Sequence, residues 1–135
     1  MNKYIEEITT SVQVYPTLSA SGISGSAMVD CANYRNVITK AFIHKLPDQK
    51  GEGVATVSLY EGTVSTIGVA TYLTASVVTG TLTSVSDLIL RSEIRTAEMS
   101  VNSSKKFVYA RVALPTGAYV SAIVERGAPR YEKQV

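Results

Sequence analysis

The sequence predicts an all-β protein, a two-sheet antiparallel β-sandwich of about eight strands. Two-residue alternation of apolar and polar side chains recurs along the chain, whereas apolar residues at helical spacing do not. Ser and Thr make up about a fifth of the residues, alongside many Val, eight Tyr and no Trp, a composition suited to pleated surfaces. Turn-forming residues separate the alternating runs. With 135 residues the chain has room for one core and no second lobe, so a single domain over 1–135 is expected, with an extended segment over 1–7 and a tail over 126–135.

The elements follow in order. In "EITTSVQVYP" the apolar side is Ile8, Val12 and Val14, with Thr10 between them, and Pro16 ends the run. "PTLSASGISGS" reads as a flexible Ser/Gly loop. "SAMVDCANY" puts Ala27, Val29 and Cys31 on one side, and in "RNVITKAFIHKL" Val37, Ala41 and Ile43 oppose Ile38, Phe42 and Leu46. A strand apolar on both faces has one side in the core and the other covered by a neighbour or a loop. "PDQKGEG" is a turn, and "VATVSLYEG" then sends Ala55, Val57 and Leu59 inward. Residues 62–86 carry no charge and eleven Ser or Thr, so they are too polar for a membrane span and are expected to hold one or two strands. "DLILRSEIR" sets Leu88, Leu90 and Ile94 against Ile89, Arg91, Glu93 and Arg95. "KFVYARVALP" places Val108, Ala110, Val112 and Leu114 inward and Phe107, Tyr109 and Arg111 outward, and "TG" leads into "AYVSAIVERG" as the second arm of a hairpin. Long connections near 17–26 and 62–86 suit Greek-key crossings, which favours a jelly-roll arrangement over a barrel.

The residues offer little for catalysis. A Ser or Cys nucleophile needs a base, and the single histidine, His44, sits inside an expected strand, where a plain surface or core role is the commoner one. Cys31 lies on the apolar alternation and reads as a buried, inert thiol; alone, it forms no internal disulfide. The carboxylates cannot be paired by spacing, and no His/Cys/Asp/Glu cluster has metal-ligand spacing, so no catalytic residue, metal or cofactor is expected. The net charge of +2 and scattered basic residues argue against nucleic acid, although "KKFVYAR" has the look of a small stacking platform. Glu6 and Glu7 stand where a signal peptide needs an apolar run, which points to folding in a cytoplasm. Exposed tyrosines suit either sugar stacking or protein contact, and the absence of Trp tips the balance to protein.

One resemblance adds to this. "VATVSLYEGT" with its V-x-L-x-E strand, "FVYARV" with Y-x-R-V, and the ending "RGAPRY" together resemble small structural proteins of tailed bacteriophages, over roughly residues 34–131. The resemblance implies a non-enzymatic virion protein of the capsid decoration or cement type, bound to the major capsid protein on the outer surface of the virion. Neck and tail components share the same look, and a carbohydrate- or receptor-binding module is the alternative from another class. The expected partners are the major capsid protein and the chain itself, as a homo-oligomer and specifically a trimer, with no nucleic acid, membrane or small-molecule substrate. The residues expected at protein interfaces are Tyr72, Phe107, Tyr109, Arg111, Tyr119, Arg126, Arg130 and Tyr131, with the basic and aromatic ending suited to carboxylates on another subunit.

Overall fold

The computed structural model describes residues 9–25, 27–45, 52–63, 73–83, 87–99 and 106–129. Within them the strands are β1 (Thr9–Ser19), β2 (Gly22–Ser24), β3 (Val29–Asp30), β4 (Tyr34–His44), β5 (Gly53–Gly62), β6 (Leu73–Leu82), β7 (Asp87–Arg95), β8 (Phe107–Ala113) and β9 (Ala118–Pro129), with a 3-10 turn at Thr96–Glu98. Sheet A has the order β1-β9-β4-β7 and sheet B the order β2-β8-β5-β6, with β3 also on β8. All pairings are antiparallel. Because β2 and β3 share one edge of β8, they amount to a single interrupted strand. Counted so, eight strands change sheet at every connection except β5 to β6, which is the wrap of a jelly roll.

The inward alternation is the one expected. Val37, Ala41 and Ile43 of β4, Ala55, Val57 and Leu59 of β5, and Val108, Ala110 and Val112 of β8 are buried. They meet Val120, Ala122 and Val124 of β9 between the sheets. Gly80 lets the sheets close at one side: a Cβ there would lie 2.7 Å from Leu90 and 2.9 Å from Leu88 of β7, so the missing side chain makes room for both leucines. Next to it, the hydroxyls of Ser76 and Ser92 meet at 3.1 Å and tie β6 to β7 across the seam.

Four expectations give way. The final two strands are not a hairpin: β8 belongs to sheet B and β9 to sheet A, so Pro115-Thr116-Gly117 carries the chain across the sandwich. Alternation specifies which side chains point inward but not which sheet receives a strand, and a jelly roll buries both. Second, Pro16 does not end β1, and much of the Ser/Gly run is strand. β1 bulges on either side of Val14 and continues to Ser19, while Gly22–Ser24 pairs with β8. Third, those bulges place Val12 outward and bury Gln13 with Val14. Fourth, the supposed tail begins as strand, since Arg126 to Pro129 pair with β4, and Arg126 also with Thr9 of β1. The ladder offered by β4 outweighed the turn propensity of Gly127 and Pro129.

The buried Gln13 has a structural task. Between β2 and β3 no strand covers Ala110 of β8, and its backbone groups are instead met by Gly25, whose N–H donates to the Ala110 carbonyl at 2.7 Å, and by Gln13, whose Oε1 accepts the Ala110 N–H at 2.9 Å. The Gln13 amide in turn donates to the Ala27 carbonyl at 2.9 Å. One side chain from sheet A thus completes the hydrogen bonding of sheet B. Gly25 is required beside it, because a Cβ would collide with Gln13 Oε1.

Candidate protein-docking faces

Each sheet turns one face to the core and one outward, and the outward faces differ. Strand register fixes the rows of sheet A. From the end nearest the β4 carboxy terminus, the first row is Leu18, Tyr119, His44 and Asp87; the second has Ser121, Phe42 and Ile89, with Pro16 beside them. The third row is Val12, Ile123, Lys40 and Arg91, and the fourth Thr10, Glu125, Ile38 and Glu93. The first two rows are mainly apolar, with Phe42 at 40% exposure, Tyr119 at 46% and Ile89 at 65%. They enclose a shallow groove of about 300 Å³. The charged rows are internally paired: Lys40 Nζ meets Glu125 at 2.8 Å, and Arg91 meets Glu93 at 3.3 Å.

Ser121, His44 and Asp87 all line that groove, and His44 Nδ1 contacts Asp87 Oδ1. This is not a hydrolytic triad in its present geometry. Ser121 sits opposite Phe42, a diagonal step from His44, with no hydrogen bond between them, and the Asp87 side chain is 78% exposed where a triad carboxylate is buried. The pair is an exposed cross-strand contact of β4 and β7.

The outer face of sheet B is almost uncharged. Thr56, Ser58, Thr79 and Thr81 alternate with the exposed Val54 and Val77, and Arg111 is its cation among the described residues. At one end Tyr60 and Tyr109, directly opposite in register, stack with centroids 5.2 Å apart, next to Phe107.

The expected interface residues therefore separate. Phe107, Tyr109 and Arg111 share the outer face of sheet B, and Tyr119 belongs to sheet A. Arg126 is engaged within its own chain: it donates to the Asp30 carbonyl at 2.7 Å and to the Ser11 hydroxyl at 3.3 Å, and its guanidinium lies 4.9 Å from the centroid of the Tyr34 ring. That ties β9 to β1 and β3 within the chain. Tyr72, Arg130 and Tyr131 lie outside the described residues. Missed in the sequence were Phe42, Ile89 and Leu18 as one patch; Phe42 and Ile89 had been placed on outward faces, but strand order alone could bring them together.

Cys31 is fully buried, with Met99 Sδ at 4.0 Å and the Lys106 carbonyl at 3.4 Å. Burial first, then the charge of Asp30, pushes its thiol up to about 12, which fits the inert role expected. Among the described residues no three His, Cys, Asp or Glu side chains converge to hold a metal ion, and no helix is long and apolar enough to cross a membrane.

No family model matches the sequence, and no curated protein matches it. Solved structures do share the fold. A chain in the structure of infectious bursal disease virus, Gx strain, superposes with a TM-score of 0.54 at 12% identity over 93% of this chain. This chain spans 32% of the length of that one. A looser likeness, TM-score 0.45 at 8% identity, links 96% of this chain to 90% of the Eiger TNF chain from S. frugiperda, too distant to carry an argument. At such identities the likeness is one of fold: a jelly-roll sandwich also found in a virus structure.

Proposed function

We propose that this chain is a non-enzymatic structural protein of a virion, of the decoration or cement type, that adheres to the major capsid protein on the outside of a phage head. The observation that carries the reading is the distribution of exposed apolar side chains. Val12, Leu18, Phe42, Ile89 and Tyr119 lie on the outer face of sheet A, and Val54 and Val77 on that of sheet B. Such surfaces on both sides suit a protein held between others. The jelly-roll fold shared with a chain of a virus structure agrees with this, as does the resemblance to tailed-phage proteins. Sheet B, with Phe107, Tyr109 and Arg111, is the better shell contact: it is nearly neutral, and its aromatic end offers large rings with polar tips. Many copies, each held weakly, would add up across the shell and oppose its rupture.

The test is co-sedimentation of the purified chain with shells assembled from the major capsid protein of the same genome. The reading expects saturable binding that Tyr109→Ala combined with Arg111→Glu weakens at least tenfold while the melting temperature holds. Absence of binding to intact shells would overturn it. The Tyr60–Tyr109 stack beside a row of hydroxyls favours a second reading, a carbohydrate- or receptor-binding face. A glycan array distinguishes the two, and location in the neck or tail would appear as binding to those assemblies and not to shells.

A further inference from the structure

We infer that the outer face of sheet A is a self-contact, through which two copies of this chain pack face to face about a two-fold axis. The axis runs across the strands, along the row that contains Phe42 and Ile89. The argument rests on the register of that face. A two-fold along the second row keeps each strand above its own counterpart, reversed in direction, and lays the first row of one copy over the third row of the other. Each residue of one row then faces the residue in the same strand of the other.

The pairs this generates are complementary. On β1, Leu18 meets Val12 of the second copy; on β9, Tyr119 meets Ile123 of the second copy. On β7, the carboxylate of Asp87 faces the guanidinium of Arg91 of the second copy. Phe42 and Ile89, exposed to water in a single copy, meet their own equivalents on the axis. The remaining pair, His44 over Lys40 of the second copy, carries little repulsion, because Asp87 contacts that histidine and Glu125 neutralises the lysine. Isologous contacts require this reciprocity, in which residue i meets j and j meets i. Turning the axis parallel to the strands keeps that reciprocity and loses the complementarity. The third row would then place Lys40 on Ile123 and Arg91 on Val12, and the first row Asp87 on Leu18, so that these charged groups meet only apolar side chains across the interface.

The twist of two stacked sheets turns their strands about 30° apart, which the long Arg91 side chain at the edge can span. Four strands about 4.8 Å apart and three rows about 6.8 Å apart give roughly 400 Å² per copy, about 800 Å² in all. That falls below the standard size of a specific interface, so the contact is weak and reversible, with a Kd on the order of ten micromolar or above. It leaves the face of sheet B free for another partner. It also stands independently of what that partner is, and it replaces three-fold by two-fold self-association for this face.

Sedimentation velocity of the full chain from about one to several hundred micromolar tests the inference. The expected result is a reversible monomer–dimer equilibrium. Asp87→Arg alone and Arg91→Asp alone each put like charges together twice per dimer and weaken it by about tenfold. The double variant Asp87→Arg/Arg91→Asp restores the opposite pair across the axis and returns the dimer to within about threefold of the wild type. Phe42→Asp, which places two carboxylates on the axis, abolishes dimerisation; should it fail to fold, the charge-swap set carries the test alone. A wild-type chain that stays monomeric throughout, or forms only trimers, overturns the inference. So do single variants that dimerise normally, or a double variant no better than the singles. Shell binding is measured separately, so loss of one reading leaves the other intact.

Discussion

Gln13→Met removes one side-chain amide and nothing else of comparable size, and the structure assigns that amide a definite cost. Its Oε1 is the acceptor for the Ala110 N–H, and Ala110 is fully buried between strands that cannot reach it. A buried donor left without a partner costs about 1–3 kcal/mol. The Ala27 carbonyl, which also loses its donor, is on an exposed residue and regains water, adding less than about 1 kcal/mol. The sum is about 1–4 kcal/mol, which for a chain of this length lowers Tm by about 4–14 °C. Urea unfolding measures the first figure and calorimetry the second. Hydrogen exchange adds a local readout, since the Ala110 amide should lose protection beyond what global destabilisation explains. Gly25→Ala should cost a similar amount, because its methyl displaces the same amide, and the two costs should not add in a double-mutant cycle. A loss below about 1 kcal/mol with Ala110 still protected, or full additivity with Gly25→Ala, would refute the reasoning.

Other expectations follow from single side chains. Thr39 is fully buried and its hydroxyl meets no hydrogen-bond partner among the described residues, so Thr39→Val should raise stability by about 1 kcal/mol, read from the urea midpoint at unchanged m-value. Lys45 is likewise fully buried, and its ammonium meets no partner among the described residues, so Lys45→Met should be neutral or stabilising by about 1 kcal/mol or more; a large loss would show a paired cation. Arg126→Ala should cost about 2 kcal/mol in the same assay, as it cuts the tie from β9 to Asp30, Ser11 and Tyr34, and truncation after Glu125 should cost more. Cys31 in the folded chain should react with a thiol reagent at pH 8 at least about a thousandfold more slowly than in denaturant, since its pKa rises from 9.0 to about 12. The same shift has a sign in stability. A thiol whose folded pKa is raised contributes fully below pH 9 and loses that contribution as pH climbs toward 12, so Cys31→Ala should flatten the alkaline fall in stability.

The sequence carried the inward half of this fold well, because a core imposes period-two alternation on any strand that borders it. Val37 to Ile43, Ala55 to Leu59 and Val108 to Val112 were legible for that reason. Sheet membership was not. The β8–β9 pair looks like a hairpin in sequence, yet Pro115 to Gly117 cross between sheets, and nothing in alternation distinguishes a strand's neighbours within a sheet from those across the core. β1 misled for a different reason: bulges around Val14 change the phase of alternation, so Val12 and Val14 point opposite ways despite their two-residue spacing. The outward side chains of β8 were legible residue by residue, and Phe107, Tyr109 and Arg111 do face away from the core. The grouping of Leu18, Phe42, Ile89 and Tyr119 was not, because those four come from four strands whose adjacency is a property of topology. The ending beginning at Arg126 read as a tail leaving the sheet because Gly127 and Pro129 usually interrupt strands, whereas here β4 supplies a ladder that tolerates both.

The central claim, that this chain works as a structural protein of a virion, is tested most directly by quantitative mass spectrometry of purified particles from cells in which the genome is expressed. The account predicts the chain in intact particles in tens to hundreds of copies, in fixed ratio to the major capsid protein and accessible to protease from outside. Particles complete and stable without it, with the chain found only free in the lysate, would contradict the account.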